Sequence, residues 1–505
     1  MHVLPNLAVI DDATEWWSWV TLVAIGLHFA LQVAITVRVV MQRRPTSETT
    51  AWIVVVFGLP IFGPLLYLLI GELRLGRKRA RRYTELTRPM KQWLAGIPER
   101  SIADFSQTDE DFEQYSELGE KTMGVPTLRG NRVTLLDQWH DVFMRLEREI
   151  DQAKSTVHLE FYIWHNGGEA AKIVDALIRA RERGVVCRVL VAAIGSHRFL
   201  RSPAVRRLRA AGVLVQDALP GGLLRMPFVR FDLRLHRKIV VIDGRIAYTG
   251  SLNLVDPRYF KRDAGVGQWI DAMVRIEGPA VEALQITFLA DWFVETDATL
   301  EELRESGDAN PQPRRGDCAV QVMPSGPDLE RYAVEHVLLT AVYAAREELI
   351  LTTPYFLPSE ALSLALIAAA RRGVEGVLIV PRPVDSKLGR YASAAVKSEL
   401  LPVRLGESRP AQLSAEFRNS ARDVRSQIHP GTARVAAALP RSLGVDGPRY
   451  IPSPTEAAAS CGERHAIDGA AAITRPAGML LPGSYVGALS PTSSSRPLRA
   501  VSSVR

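Results

Sequence analysis

The chain has 505 residues, with 62 lysines and arginines against 55 aspartates and glutamates, for a formal charge of +7. Its three cysteines, Cys187, Cys318 and Cys461, are too scattered for a metal knuckle and give no disulfide framework, which fits a reducing compartment. The basic balance suits nucleic acid or anionic lipid as a partner, and an apolar run near the start favours lipid.

That run, Trp16 to Val37, reads WWSWVTLVAIGLHFALQVAITV, with His28 and Gln32 its most polar members. It is long enough to cross a hydrocarbon core of ~30 Å, and its tryptophans cluster at one end, where an interface belt sits. No lysine or arginine precedes it, and it is too long for a cleaved signal. A second apolar run, Ala51 to Ile70, is interrupted by Gly58, Pro60, Gly63 and Pro64, and reads as a kinked span or a re-entrant segment. Arg38, Arg43 and Arg44 follow the first run; Arg74, Arg77, Lys78, Arg79, Arg81 and Arg82 follow the second. If both runs cross, these groups lie on opposite sides, and the larger cluster places the body in the cytoplasm. There it also suits anionic headgroups, as an ordinary stop-transfer flank would.

Residues 14–71 are thus read as the membrane anchor and 72–124 as a linker, basic and then acidic around Thr108 to Glu120. A globular region begins near Val125. Ser155 to Trp164 predicts a strand, Glu169 to Arg183 an amphipathic helix stopped at Gly184, and Val185 to Ile194 a buried strand, together a βαβ unit. The pattern returns at Glu348 to Thr353, Ser359 to Arg372, Gly373 and Val374 to Val380. ALIRARERGV from Ala176 matches ALIAAARRGV from Ala365, which points to a duplication.

Between the two units, Leu235 to Asn253 reads LHRKIVVIDGRIAYTGSLN, a His-x-Lys-x4-Asp pattern followed by Gly-Ser-x-Asn that occurs once in the chain. The β-branched run Ile239 to Ile242, the Asp243-Gly244 turn signal and Ile246 to Thr249 predict a hairpin. Strand residues two apart face the same way, so His236 and Lys238 project together. An imidazole can attack phosphorus or protonate a leaving alkoxide near neutral pH, while the ammonium offsets phosphate charge. Ser251 and Asn253, again two apart, can donate to phosphate oxygens. Asp243 at the turn suits bracing the hairpin better than touching substrate.

The complete spacing resembles the signature of the phospholipase D superfamily, in which two such motifs, one per half of a duplicated α/β domain, face each other. The resemblance implies catalytic His236, Lys238 and Asp243, a phosphate site of Lys238, Ser251 and Asn253, and no metal or other cofactor. One histidine forms a phosphohistidine and the other acts as acid, then base. HLEFYIWHNGG from His158, the segment from Arg230, VMPSGPD from Val322 and LTTPYFLPSEAL from Leu351 are similar to bacterial cardiolipin synthases in particular, over roughly residues 14 to 400. That implies phosphatidylglycerol and other anionic phospholipids as partners, no nucleic acid, and a bacterial inner-membrane location. Asp271 orients His236 if it follows the superfamily; otherwise it is a strand-end carboxylate in water. Tyr162 and Tyr355 fall on corresponding strands, as cleft residues or as buried aromatics. Ala192 stands where relatives commonly carry an aspartate.

The first half, 125–310, is therefore expected to be complete and the second, 311–401, truncated. Gly184 to His236 spans 52 residues, which puts a second His-x-Lys at about residue 425. His429 precedes Pro430, His465 precedes Ala466, and Lys397 is the last lysine. After SKLGRYASAAVKSELL ends at Leu401, residues 402–505 are rich in Pro, Ser, Ala, Gly and Arg, and read as a disordered tail or as the product of a frame shift near 395 to 405. Loss of the second hairpin is expected to expose sheet edges. The fold class is a phospholipase D-like duplicated α/β sandwich with an incomplete second half, behind N-terminal transmembrane segments. The alternatives are a homodimer pairing two His236 motifs and a non-catalytic membrane protein that binds anionic lipid.

Overall fold

The computed structural model describes residues 8–42, 44–72, 76–105, 110–219, 235–260, 271–326, 332–353 and 356–379, with short strands at 437–438 and 484–489. Two units divide between Gly76 and Arg77.

The first unit begins with α1 (Ala8–Met41), whose stretch Trp16–Met41 is, among the described residues, the one helix long and apolar enough to cross a membrane. The second apolar run is broken into α2 (Thr46–Gly58) and α3 (Phe62–Leu66), the latter continued by a π-helical turn over Tyr67–Gly71. Pro60 cannot donate to the Val56 carbonyl, as a helical residue four positions on would do. Gln32 of α1 supplies the missing donor, with Nε2 2.9 Å from Val56 O. The polar residue in the middle of α1 thus answers a proline in the next run.

The second unit comprises α4 (Arg77–Ala95), α5 (Glu110–Met123), β1 (Leu128–Leu136), α6 (Trp139–Gln152), β2 (Thr156–Phe161), α7 (Glu169–Glu182), β3 (Val186–Ala192), α8 (His197–Leu200), α9 (Pro203–Ala210), β4 (Leu214–Ala218), β5 (Ile239–Ile242), β6 (Ile246–Gly250), β7 (Met273–Glu277), α10 (Ala280–Glu295) and α11 (Leu300–Ser306). It continues through β8 (Cys318–Pro324), α12 (Ala333–Ala344), β9 (Glu348–Thr352), α13 (Glu360–Arg371), β10 (Glu375–Ile379), β11 (Ala437–Ala438) and β12 (Ser484–Leu489). A nine-stranded sheet runs β12-β8-β1-β7-β6-β5-β2-β3-β4. β2, β3 and β4 are parallel, and the other neighbours are antiparallel.

Successive strand residues feed two cores, as the pleat requires. Val157, Leu159 and Phe161 pack with α6, α7 and α9, whereas Ile239, Val241 and Ile276 pack with α10. Every residue of α10 from Ala280 to Val294 is buried, because α4 covers its outer side. Arg82 donates to Phe293 O (2.7 Å) and Ala298 O (2.6 Å), and Arg79 pairs with Glu295. The segment 72–124, read above as a linker, therefore carries two packed helices, and part of its basic cluster holds the body together. Between sheet and helix, His158 stacks on Phe288 (4.7 Å) with Arg188 and Gln285 each 2.9 Å from a ring nitrogen. Burial first, then the Arg188 charge, lower its pKa to about 3, which marks a structural imidazole.

Glu282 on α10 has its carboxyl pKa raised by burial, from 4.5 to about 7. An acid whose folded pKa is raised contributes stability below its unfolded pKa and loses it as pH rises through the folded one. Glu282→Gln is accordingly expected to match the wild type at pH 4 and to exceed it by about 1–2 kcal/mol at pH 8, as read from denaturant midpoints.

The duplication is visible in three dimensions. β1-α6-β2-α7-β3 is followed in order by β8-α12-β9-α13-β10, with β2/β3 and β9/β10 both parallel. Gly184 and Gly373 take the same left-handed φ, 90° and 89°, after their helices. The arginines before them do the same work: Arg183 donates to Ile150 O at the end of α6 (2.8 Å), and Arg372 to Val342 O at the end of α12 (3.1 Å). β10, β9 and β11 form a separate three-stranded sheet. The outer edge of β8, expected to be open, is paired with β12 from Pro324↔Ser484 to Ala319↔Leu489. Residues 386–401, Tyr355, His429 and His465 lie outside the described residues, as does the tail apart from β11 and β12.

Candidate active site

Four neighbouring strands end at one edge of the large sheet. The register Glu160↔Ile239 and Ile239↔Thr249 brings the residues after β2, those before β5 and those after β6 together, and Gly250↔Met273 adds the start of β7. Tyr162, His236, Lys238, Ser251, Asn253 and Asp271 meet there. A side chain at Gly250 would press within 2.8 Å of Met273 Cα, so glycine is what lets β6 and β7 close at this point.

His236 and Lys238 are 4% and 2% exposed, which keeps bulk water from both. Lys238 Nζ lies 3.2 Å from His236 Nδ1 and also donates to the His236 carbonyl oxygen. An ammonium has no lone pair, so Nδ1 must be the acceptor in that contact. The Tyr162 ring packs on the imidazole at 4.7 Å and lies 5.8 Å from the ammonium. Tyr162 is thus both a buried aromatic and a wall of the site.

The other predicted residues are positioned less simply. Asn253 Oδ1 accepts from Ile163 N (3.0 Å), so what it can offer a phosphate is its amide N–H end. Ser251 Oγ donates to Asp271 Oδ1 (2.7 Å) and accepts from Ala272 N (3.0 Å), so its hydroxyl proton braces Asp271 instead of awaiting an oxyanion. Asp271 is buried, which overturns the reading of a carboxylate in water. Burial raises its pKa, while the Ser251 hydrogen bond and the Lys238 charge oppose the rise. Its Oδ2 is buried without a hydrogen-bond partner among the described residues. Ala192, where an aspartate was the expected type, is buried in the α10-side core.

Asp243 is not brought to His236. It sits at the far end of β5 with φ 52°, and its carboxylate accepts from Lys154 N (3.0 Å), Ser155 N (2.8 Å), Thr156 N (3.1 Å) and Ser155 Oγ (3.0 Å). The catalytic assignment drawn from the family pattern is corrected to the bracing role that the turn suggested.

The sequence reading missed a charged cluster behind the motif. Arg237 pairs with Asp291 of α10 and donates to Ser325 O (3.0 Å). Glu160 is fully buried beside them, and burial, then the Asp291 charge, raise its pKa well above the usual carboxylate range. The one signal is Glu160 itself, an acid among the polar positions that alternate with Val157, Leu159 and Phe161 along β2. A small cavity bounded by Tyr83, Leu86, Leu235, Arg237 and Asp291 adjoins it.

Residues 146–292 match the family described as cardiolipin synthase, PLD-like domain, and residues 30–72 match the phospholipase D-nuclease N-terminal family. Cardiolipin synthase A of Yersinia pseudotuberculosis serotype O:1b and that of Yersinia pestis are each 40% identical over 390 residues, which is 77% of this chain and 80% of theirs. Among solved structures, phosphatidylserine synthase of Haemophilus influenzae aligns over 57% of this chain and 72% of its own at 12% identity, with a TM-score of 0.41. The phospholipase D family member Nuc of Salmonella typhimurium aligns over 32% and 94% at 17% identity, with a TM-score of 0.25. With its single His-x-Lys motif at the meeting of four strand ends and its length aligned to these synthases, the chain belongs to the cardiolipin synthase family of phospholipase D-like phosphatidyltransferases.

Proposed function

We propose that the site transfers a phosphatidyl group between two phosphatidylglycerols, and that this chain does so slowly because only one of its two histidines is supplied. The observation that carries this reading is the buried His236-Lys238 pair walled by Tyr162 in a chain 40% identical to cardiolipin synthase A. A ring nitrogen of His236 attacks the phosphorus of one phosphatidylglycerol, and the bond to the glycerol oxygen breaks as that oxygen takes a proton, in this chain from water for want of a second histidine; the hydroxide left behind accepts the proton of the next step. The primary hydroxyl of a second phosphatidylglycerol then gives up its proton and attacks the phosphatidyl-histidine, releasing the imidazole as cardiolipin forms. Lys238 and the Asn253 amide balance charge on the phosphoryl oxygens. The proton donor of the first step and acceptor of the second belong to a second motif, which residues 402–505 do not contain. A shift of reading frame near 395 to 405 accounts for that; DNA with one intact frame and no second motif in any other frame would count against it.

The presence of a single motif favours one other enzymatic reading, a homodimer that pairs two His236 motifs. A non-catalytic anionic-lipid binder rests on the basic residues after the anchor. We place the protein in a bacterial inner membrane with the body in the cytoplasm. The test is incubation of the membrane-reconstituted chain with phosphatidylglycerol vesicles. Slow cardiolipin formation, abolished in His236→Ala, is expected; full-rate formation that rises with the square of chain concentration supports the dimer. Lipid binding without turnover leaves only the third reading, and cleavage of labelled DNA would overturn the lipid assignment.

A further inference from the structure

The second apolar run doubles back on itself. In a continuous helix Val55 and Gly63 would lie ~12 Å apart along the axis, and Trp52 and Tyr67 ~22 Å. Instead a side chain at Gly63 would overlap the Val55 carbonyl oxygen and come within 2.9 Å of Val56 Cα, and the Trp52 and Tyr67 rings meet edge to face at 5.3 Å. Further along, Arg44, which precedes α2, donates to Gly71 O at the end of the π turn. Residues 63, 67 and 71 thus face 55, 52 and 44 in turn, as the two arms of an antiparallel hairpin do. The reversal is made by Pro60 and by Ile61 at φ 47°, and only a glycine at 63 lets the arms approach so closely.

The hairpin has a polar end and an apolar end. At its base Glu72 accepts from Arg38 Nη2 (3.1 Å), Gln42 Nε2 (3.2 Å) and the Tyr67 hydroxyl (3.2 Å), while Arg44 pairs with Glu48. At its tip Leu59, Ile61 and Phe62 are 51%, 70% and 74% exposed, large apolar side chains left largely open among the described residues. The arms, 13 residues in α2 and ten from Phe62 to Gly71, are ~20 Å and ~15 Å long against a core of ~30 Å.

We propose that residues 46–72 form a re-entrant hairpin whose apolar tip inserts into a single leaflet of the bilayer, so that the chain crosses once, at α1. Its partner is the hydrocarbon of the leaflet on the Arg38 side. The chain then enters and leaves the hairpin on one face of the membrane, opposite its amino terminus. Arg38, Arg44 and the basic residues after Glu72 fall on that one face, which removes the conflict that two crossings would create under the positive-inside rule. The proposal rests on the reading that α1 spans a membrane, and its test does not use catalysis.

Single cysteines introduced as Thr14→Cys, Ser47→Cys and Arg81→Cys can be probed with a membrane-impermeant maleimide in spheroplasts and in inverted membrane vesicles. Cys187 and Cys318 are buried and serve as a silent background once Cys461→Ser is added. Ser47→Cys and Arg81→Cys are expected to react in the same preparation and Thr14→Cys in the other. Reaction of Ser47→Cys and Arg81→Cys from opposite sides would mean two crossings and overturn the hairpin. Reaction of all three from one side would overturn the spanning role of α1 along with it.

Discussion

Asp243→Ala is expected to lower the stability of the body by about 2–4 kcal/mol, with no direct effect on the chemistry at His236. The carboxylate is the acceptor for three successive backbone N–H groups, Lys154, Ser155 and Thr156, and so ties the β5-β6 turn to the start of β2. Hydrogen bonds to a charged acceptor contribute about 1.5–3 kcal/mol each in favourable cases, and partial exposure here reduces the sum. Alanine also pays the left-handed cost at φ 52°, about 1–2 kcal/mol, which aspartate and asparagine tolerate better. Asp243→Asn keeps one acceptor oxygen and the turn, so its loss is expected to be about half. An extended chain places residue 243 about 23 Å from His236, too far for proton transfer. Denaturant midpoints and lipid turnover per folded molecule separate the two roles. An Asp243→Asn protein with the wild-type midpoint and no turnover would restore a catalytic role.

How much of this was legible in sequence follows from the range of each interaction. The hairpin over Ile239 to Gly250 and both βαβ units were readable because their signals, β-branched runs, Asp-Gly and helix-stopping glycines, act within a few residues. The role of Arg183 and Arg372, which cap α6 and α12, each the helix one strand further back, is hidden in the same RGV match because the partners lie about thirty residues away. In α4 the charges obscured the pattern. Tyr83, Leu86, Met90 and Leu94 keep helical spacing and face α10, but six basic groups between 74 and 82 read as a solvated flank. Asp271 shows the same limit at the site: its sequence neighbours do not reveal that it is buried against Ser251 at the end of β6. The second apolar run reads equally as a kink or as a re-entrant turn, since Pro60 announces a break and only long-range contacts give its angle.

Supplying a second motif is expected to raise cardiolipin formation by ~10²–10⁴-fold, the usual contribution of a positioned acid and base. The chain itself provides the part. The second half follows the first strand for strand from β8 to β10, as β1 to β3 run in the first, and the sequence of 386–401 stands where the first half has the segment that leads to Val213. Replacing residues 402–505 with a copy of residues 213–310 would therefore continue the repeat through a second His-x-Lys hairpin and a second version of α10. In the first half β7 flanks β1; in this chain β12 flanks β8, so the copied β7 has a strand edge to occupy once the tail is removed. The informative comparison is between this graft and the same graft with the copied histidine changed to alanine, since both must fold alike while only one carries the acid and base. A gain confined to the intact graft, and lost again in His236→Ala, assigns one proton-transfer group and one nucleophile to the two halves. Two equally folded grafts with equal, unraised turnover would instead place the proton donor inside the first half, and the chain would need no second motif to work.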